Sequence, residues 1–218
     1  MAKSSKVIST KDRILEVAER LFAERGLDGT SMRHITEAAG VNLASVNYHF
    51  GSKDGLIAAV FQRHLVPLNQ ARLAMLDAVE TEAGSRAPTI EAVLEAFIHP
   101  TVAREIDSPR DSAALLGLLG RCMSEPAVYF EKHIRPHFEA LKERFDAAVA
   151  RALPELPADE IFWRMNFMIG ALHHAIDLWG RPDKMPFSPD KPLDAEGLVR
   201  RLISFTAAGL RAPAAEQD

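Results

Sequence analysis

From Ser9 onward, apolar and polar positions alternate with the period of an α-helix. Ile14, Val17, Ala18, Leu21 and Phe22 recur at i, i+3, i+4, i+7 and i+8, the stripe of an amphipathic helix. Ser9 or Thr10 supplies its cap, and Gly26 stops it after Arg25. A second, short helix is predicted from the Thr30/Ser31 cap through Ile35, Ala38 and Ala39 to Gly40. A third opens at Asn42 and carries Val46 and Phe50 on one side before Gly51. Ser52 caps a longer pattern, Leu56, Ile57, Val60, Phe61, His64 and Leu65, running through Pro67 to about Val79. Pro67 removes a backbone donor and should bend that helix. Further helices are predicted from Thr89 to about Arg104, from Pro109 to Met123, and from Pro126 to about Leu153, where the internal Pro136 predicts a kink or a break. A strongly apolar helix follows from Pro157 or Asp159 to Trp179, then a Pro-rich loop over 181–192 and a last helix from Asp194 to Leu210. No period-2 strand pattern competes, so the expectation is an all-α chain of about nine helices.

Composition narrows this only slightly. With 218 residues, 47% apolar, 26% charged and 7% aromatic, the chain is ordinary globular material, which excludes disordered, collagen-like and coiled-coil classes. No apolar run is long enough for a membrane span, and MAKSSKVISTKD lacks the apolar segment of a signal peptide. A cytoplasmic protein with no membrane partner is expected. Cys122 is the only cysteine, which excludes an intrachain disulfide framework and a multi-thiolate metal site.

Charge is informative in its division. The net charge is −4, but residues 1–63 hold 9 Lys/Arg against 7 Asp/Glu while the remainder holds 17 against 23. The first segment is therefore the part suited to a polyanion. Lys3, Lys6, Lys11 and Arg13 surround the single acid Asp12 in a Ser-rich stretch, which reads as a solvated basic arm over 1–9 ahead of an arm that touches DNA.

Three short helices separated by Gly-containing turns, the middle turn being Ala39-Gly40-Val41-Asn42, match the helix-turn-helix plan in length and turn chemistry. A recognition helix must offer its first residues to base edges while neighbouring donors hold phosphates. The stretch GVNLASVNYHFGSKDGL, residues 40–56, divides that way. Val46 and Phe50 would anchor the helix on Ile35 and Leu21. Tyr48, His49, Ser52 and Lys53 are donors suited to phosphate, and Asn42 and Ser52 are caps whose helix N-termini favour anions. The remaining Leu43, Ala44, Ser45 and Asn47 can reach a groove, where Asn pairs with adenine and Leu or Ala packs on a thymine methyl.

Residues 10–61 resemble the DNA-binding domain of the TetR family of one-component transcriptional regulators. The likeness rests on LFAERG at the end of the first helix, TSMRHITEAAGV through the second helix and turn, and YHF followed by SK at the end of the third. The chain departs from the family pattern at Asn47-Tyr48, where two aromatics usually precede the His-Phe, and at Leu43, usually basic or polar. These departures bear on which operator is read. The resemblance implies phosphate contacts from Tyr48, His49 and Lys53. It places Thr30, Ser31 and Arg33 beside the groove, the first two at phosphates and Arg33 at base edges. Leu43, Ala44, Ser45 and Asn47 then face bases. It also implies a double-stranded operator as partner, a helical effector-binding and dimerisation domain over 62–211, and a disordered tail over 212–218.

The helix IFWRMNFMIGALHHAIDLW is apolar nearly all round. Phe162, Met165, Ile169, Leu172 and Ile176 lie on one side, with Trp163, Phe167, Gly170, Ala171, His174 and Leu178 on another. Such a helix is buried on two faces, one in its own core and one against a partner. The second set, with Leu198, Leu202, Phe205 and Leu210 as a companion stripe, is expected to form a homodimer interface, as two-fold operators require. Phe97, Phe130, Phe138 and Met168, with Arg121, Cys122, Met123 and His173, could line an apolar pocket bearing one cation or imidazole, a lining suited to an amphipathic acid. The combination of VNYHFGSK with FWRMNFMIGAL resembles the fatty-acid-responsive, PsrA-type subgroup of the family, which implies a fatty acid or acyl-CoA effector. The long helix from Ser52 is the natural lever by which such a ligand would misplace the reading heads and release DNA, making the regulator a repressor.

Other classes find less support. His173 and His174 are adjacent, so on a helix they point about 100° apart and cannot easily share an ion. The Glu-x-x-His signature of carboxylate bundles, a glycine-rich phosphate loop and a GxSxG elbow are all missing. No catalytic residue, metal or cofactor is expected. A helical adaptor without DNA binding is the remaining rival, and salt-dependent binding to duplex DNA separates the two.

Overall fold

Polar side chains decide where the first helices begin and end. In the computed structural model, which describes residues 9–179 and 193–214 apart from the side chains of Ser112 and Met123, α1 spans Thr10–Gly29, α2 Met32–Ala39 and α3 Leu43–Phe50. Each opens on a side chain that accepts from a free backbone N–H: Ser9 from Asp12, Ser31 from His34 and Asn42 from Ser45. Gly26, with φ 82° and ψ 168°, breaks α1 where the sequence predicts its stop, and one further turn follows. Gly40 is left-handed, with φ 62° and ψ 41°, and its N–H and that of Val41 return to Glu37 and Thr36 carbonyls.

The rest is also helical: α4 Lys53–Ala83, α5 Ile90–Asp107, α6 Pro109–Met123, α7 Ala127–His133, α8 Arg135–Ala152, α9 Ala158–Trp179 and α10 Ala195–Arg211. Among the described residues these ten helices are accompanied by no strand. The expectation of about nine helices differs by one, because the stretch from Pro126 to Leu153 is broken next to Pro136. α4 passes unbroken through Pro67, and α5 likewise contains Pro100. The basic-arm residues 1–8, the loop over 180–192 and tail residues 215–218 lie outside the described residues.

The chain forms two compact units. One holds the residues up to Leu65 together with Ala114–Pro136; the other holds Val66–Ala113 and the chain from His137. The first unit thus contains all of residues 10–61 together with a second segment of the chain. Polar contacts tie that segment in. Glu125 accepts from the Leu27 N–H at 2.6 Å and the Asp28 N–H at 3.2 Å, Tyr129 donates to Asp28, and Lys132 Nζ lies 2.5 Å from Asp54. The positive φ at Gly26 and the nearness of Glu125 belong together: a Cβ there would stand 2.1 Å from the Glu125 carboxylate. The apolar core of this unit is Ile14, Ala18, Leu21, Phe22, Ile35, Val46, Leu56, Ile57, Val60 and Phe61, all buried.

In the second unit, α10 packs chiefly on α5 and also on α9. α9 buries Ile161, Met165, Met168, Leu172 and Ile176, one stripe at helical spacing. Leu198, Leu202 and Leu210 of α10 are buried as well. Arg164 reaches from α9 to the Gly209, Leu210, Ala212 and Pro213 carbonyls, meeting the acceptors that the end of a helix leaves over. Glu160, 2.6 Å from Arg164, balances its charge.

Candidate nucleic-acid interface

Val46 is fully buried and Phe50 half-buried, so α3 is held by one face and offers the other to solvent. Leu43 (51% exposed), Ala44 and Asn47 lie on that open face, with Ser45 half-buried beside them. Tyr48 is 86% exposed, an unusual cost for an aromatic in a folded chain. Its ring meets His49 edge-on at 5.1 Å, and His49 meets Phe50 at 6.0 Å, which orders the YHF triplet as a wall beside the open face. Asn42 Oδ1 is committed to the Ser45 N–H and Ser52 Oγ to the Gly55 N–H. Both act as caps, so two helix N-termini, with their free N–H groups and positive dipole ends, flank the recognition helix. Lys53 begins α4 and is half-buried.

Two of the groove-flanking residues behave differently from expectation. Thr30 is fully buried, and its hydroxyl donates to the Gly26 carbonyl at 2.8 Å and the Leu21 carbonyl at 3.1 Å. This corrects its place among the phosphate contacts: its side chain joins the two halves of α1 to the start of α2. Arg33 is exposed but lies 2.7 Å from Glu37 one turn on, so reaching a base requires it to leave that ion pair. Ser31 remains exposed as the α2 cap.

His34 is a polar group that sequence reasoning missed. Its Nδ1 accepts from the Ser31 N–H at 3.3 Å while its own N–H donates to Ser31 Oγ at 3.2 Å. The ring proton of the neutral imidazole therefore sits on Nε2, on an exposed side chain. A histidine at the third position of a capped helix was the available signal, obscured because capping boxes are usually closed by Glu or Gln.

The residues expected to line an effector pocket are split. Phe97 and Met168 are buried, and Phe138 and His173 half-buried, in the unit that contains α9 and α10. Cys122 and Phe130 belong to the other unit, as does Arg121. It is exposed there, 3.9 Å from Glu125. Cys122 is buried, and burial followed by the Glu125 charge pushes its thiol up to about 11. The side chain of Met123 lies outside the described residues.

The expected interface stripe is divided as well. Trp163 (57% exposed) and Phe167 (67%) lie open on α9, and Gly170 and His174 continue the same exposed line. Ala171 and Leu178 are half-buried. On α10, Phe205 is 70% exposed, whereas Leu198 and Leu202 are buried in their own unit. Leu198 and Leu202 therefore belong to the core of their own unit, and Phe205 is the open position among the companion residues. Phe162, expected on the core side, is 43% exposed.

A capped helix-turn-helix followed by an all-helical unit defines a class of regulatory proteins. Residues 14–60 match the family described as bacterial regulatory proteins, tetR family, and residues 95–209 match the tetracyclin repressor-like C-terminal domain. The chain belongs to the TetR family. It is 48% identical over 50 residues to the HTH-type transcriptional regulator YttP of Bacillus subtilis, a match covering 23% of this chain and 24% of that protein. It is 37% identical over 60 residues to the transcriptional repressor AcnR of Corynebacterium efficiens, covering 28% and 32%. The chain thus spans about a quarter to a third of the length of these curated relatives. Likeness in fold extends much further. The fatty acid degradation regulator FadR from Bacillus halodurans matches with a TM-score of 0.62 at 16% identity, over 98% of this chain and 100% of that one. The ketosteroid transcriptional regulator KstR2 of Mycobacterium tuberculosis gives 0.59 at 19% identity, over 94% and 96%.

Proposed function

We propose that this protein is a homodimeric, ligand-responsive repressor that reads a two-fold operator with α3 and releases it when a small hydrophobic effector, of the fatty acid or acyl-CoA class, binds the second unit. The observation that carries the reading is the open face of α3. It exposes Leu43, Ala44 and Asn47, its edge is an exposed tyrosine, and the N-termini of α3 and α4 both carry side-chain caps. Tyr48, His49, Lys53, Ser31 and the N-termini at Asn42 and Ser52 hold phosphates; Leu43, Ala44, Ser45, Asn47 and Arg33 meet base edges. His34 Nε2 joins the phosphate donors.

The dimer reading rests on the aromatic line of α9 and α10. Leaving Trp163, Phe167 and Phe205 in water forgoes about 1.5–3 kcal/mol each, and a second copy of the same face would recover it. A two-fold operator calls for two recognition helices one DNA turn apart, which a dimer supplies. Coupling between effector and DNA is a free-energy linkage, typically about 1–3 kcal/mol. α4 is one continuous helix that contributes residues to both units. The lipid assignment draws support from the resemblance of VNYHFGSK and FWRMNFMIGAL to the lipid-responsive subgroup, and from fold relatives that regulate fatty acid degradation and ketosteroid genes.

The test is fluorescence anisotropy on duplex DNA from upstream of the protein's own gene, titrated with free fatty acids and acyl-CoAs of graded length. Release with a chain-length optimum is expected. DNA binding that persists through the whole series would remove the lipid assignment, and absence of salt-dependent binding would remove the repressor.

A further inference from the structure

Helices α4 and α5 of the second unit hold one buried cation between them. Arg72 of α4 is 2% exposed, and its guanidinium makes three hydrogen bonds, all to neutral acceptors. Nε donates to the Phe97 carbonyl at 3.1 Å, Nη2 to Thr101 Oγ1 at 2.8 Å, and Nη1 to Asn69 Oδ1 at 3.4 Å. The Phe97 ring lies beneath it at 3.9 Å. Asn69 is itself held by the His137 carbonyl of α8 at 2.7 Å. Among the described residues no carboxylate pairs with Arg72; Asp77, Glu80, Glu91 and Glu160 of the same unit are each engaged by another arginine.

A charge taken out of water is costly unless a counter-charge accompanies it. Three dipoles and one ring face offset part of that cost, and the shortfall is visible in the surroundings. Burial pushes Arg72 down to about 9, still well above neutrality, so the cation persists. His173 of α9 is held below its ordinary value, first by burial and second by the Arg72 charge. If the only task at this position were to tie α4 to the Pro100 region of α5, a neutral donor would serve at lower cost.

We infer that Arg72, with Asn69, Thr101 and His173 around it, is the anchor for the carboxylate of an anionic effector. The inference rests on the ligand-responsive reading and specifies its effector class. A planar guanidinium presents paired donors that match a carboxylate. One positive charge balances one negative charge, so the site suits a monocarboxylate and not the multiple phosphate charges of a CoA thioester. An open cleft of about 370 Å³ lies between α4 and α5. Leu68, Ala71 and Pro100, which help line it, are the chain neighbours of Asn69, Arg72 and Thr101.

Melting temperature of the full-length protein tests this with two matched probe pairs: dodecanoate against dodecanol, and benzoate against benzyl alcohol. In the wild type at least one carboxylate raises the melting temperature and its uncharged partner does not. Arg72→Met, which removes the uncompensated charge and keeps the bulk, melts at or above the wild-type temperature without ligand and loses the carboxylate-dependent rise. Arg72→Lys keeps the charge without the fork and loses most of the rise, which decides the matter if Arg72→Met does not fold. Stabilisation of Arg72→Lys by the carboxylate equal to that of the wild type would overturn the anchor. So would equal stabilisation by acid and alcohol, which for the dodecyl pair would leave the lipid reading standing. Arg72-dependent stabilisation by benzoate alone would retain the anchor and remove the lipid reading.

Discussion

The two units place their polar chemistry on opposite sides of their cores. In the unit with α1–α3, the groups that matter are exposed or sit at helix ends, where local rules of capping and turn geometry fix them. In the unit with α9 and α10, the informative polar groups, Arg72, Asn69 and Thr101, are buried, with His173 half-buried, and what lies outside is an aromatic line. A surface that meets a fixed polyanion can be built from short-range signals. A site that encloses a ligand is built from residues distant in sequence, whose meaning appears only when the helices meet.

The largest expected effect tests whether the units are also separate in stability. Phe22 and Phe145 are both fully buried, one in each unit, and truncation of either to alanine should cost about 3–5 kcal/mol. In urea, Phe22→Ala should lower the transition of the α1–α3 unit, and Phe145→Ala that of the other. A single transition shifted equally by both variants would merge the two units into one cooperative block.

A second contrast lies in pH. Burial holds His133 in the first unit, and His137 and His173 in the second, below the ordinary 6.5. Each stays neutral in the folded chain at a pH where the unfolded chain binds a proton. Their contribution is therefore complete above about 6.5 and is lost as pH falls from there toward the lowered folded values. Melting temperature should decline over that window, and His133→Gln should flatten the decline of the first unit only. An unchanged slope in His133→Gln would contradict its assignment as a buried neutral imidazole.

The smallest effect concerns a cap. Asn42→Ala removes the acceptor for the Ser45 N–H and should cost about 1 kcal/mol. Its effect on DNA affinity should exceed its effect on the melting of the second unit, since α3 is the element it orders. Equal DNA affinity in the variant would show that the α3 N-terminus is held without its cap.

The same contrast explains what could be read from the chain before its structure. Ser9, Ser31 and Asn42 as caps, Gly26 as a stop and Gly40 as the left-handed turn residue are local decisions, and the structure keeps each of them. The break beside Pro136 was legible for the same reason. Thr30 was misplaced because a Thr-Ser pair at a helix start offers two caps, and only packing shows that Ser31 caps while Thr30 turns inward to the Gly26 and Leu21 carbonyls. Segment 114–136 gave no sign of joining the first unit, since the contact of Glu125 with the backbone at Leu27 crosses nearly half the chain. Leu198 and Leu202 carry the same apolar spacing as an interface, and periodicity cannot say which partner covers a stripe. Arg72 gives no local sign of its burial, which follows from the contacts it makes with Phe97 and Thr101 of α5.

The central claim, that the open face of α3 reads DNA, is tested most directly by measuring operator affinity against salt concentration for the wild type, Lys53→Ala and Asn47→Ala. The wild type should lose affinity steeply with salt, Lys53→Ala should weaken binding to every sequence and reduce the salt slope by about 1, and Asn47→Ala should keep the slope while changing preference among operators. Affinity and slope unchanged in Lys53→Ala, together with unchanged preference in Asn47→Ala, would contradict the account.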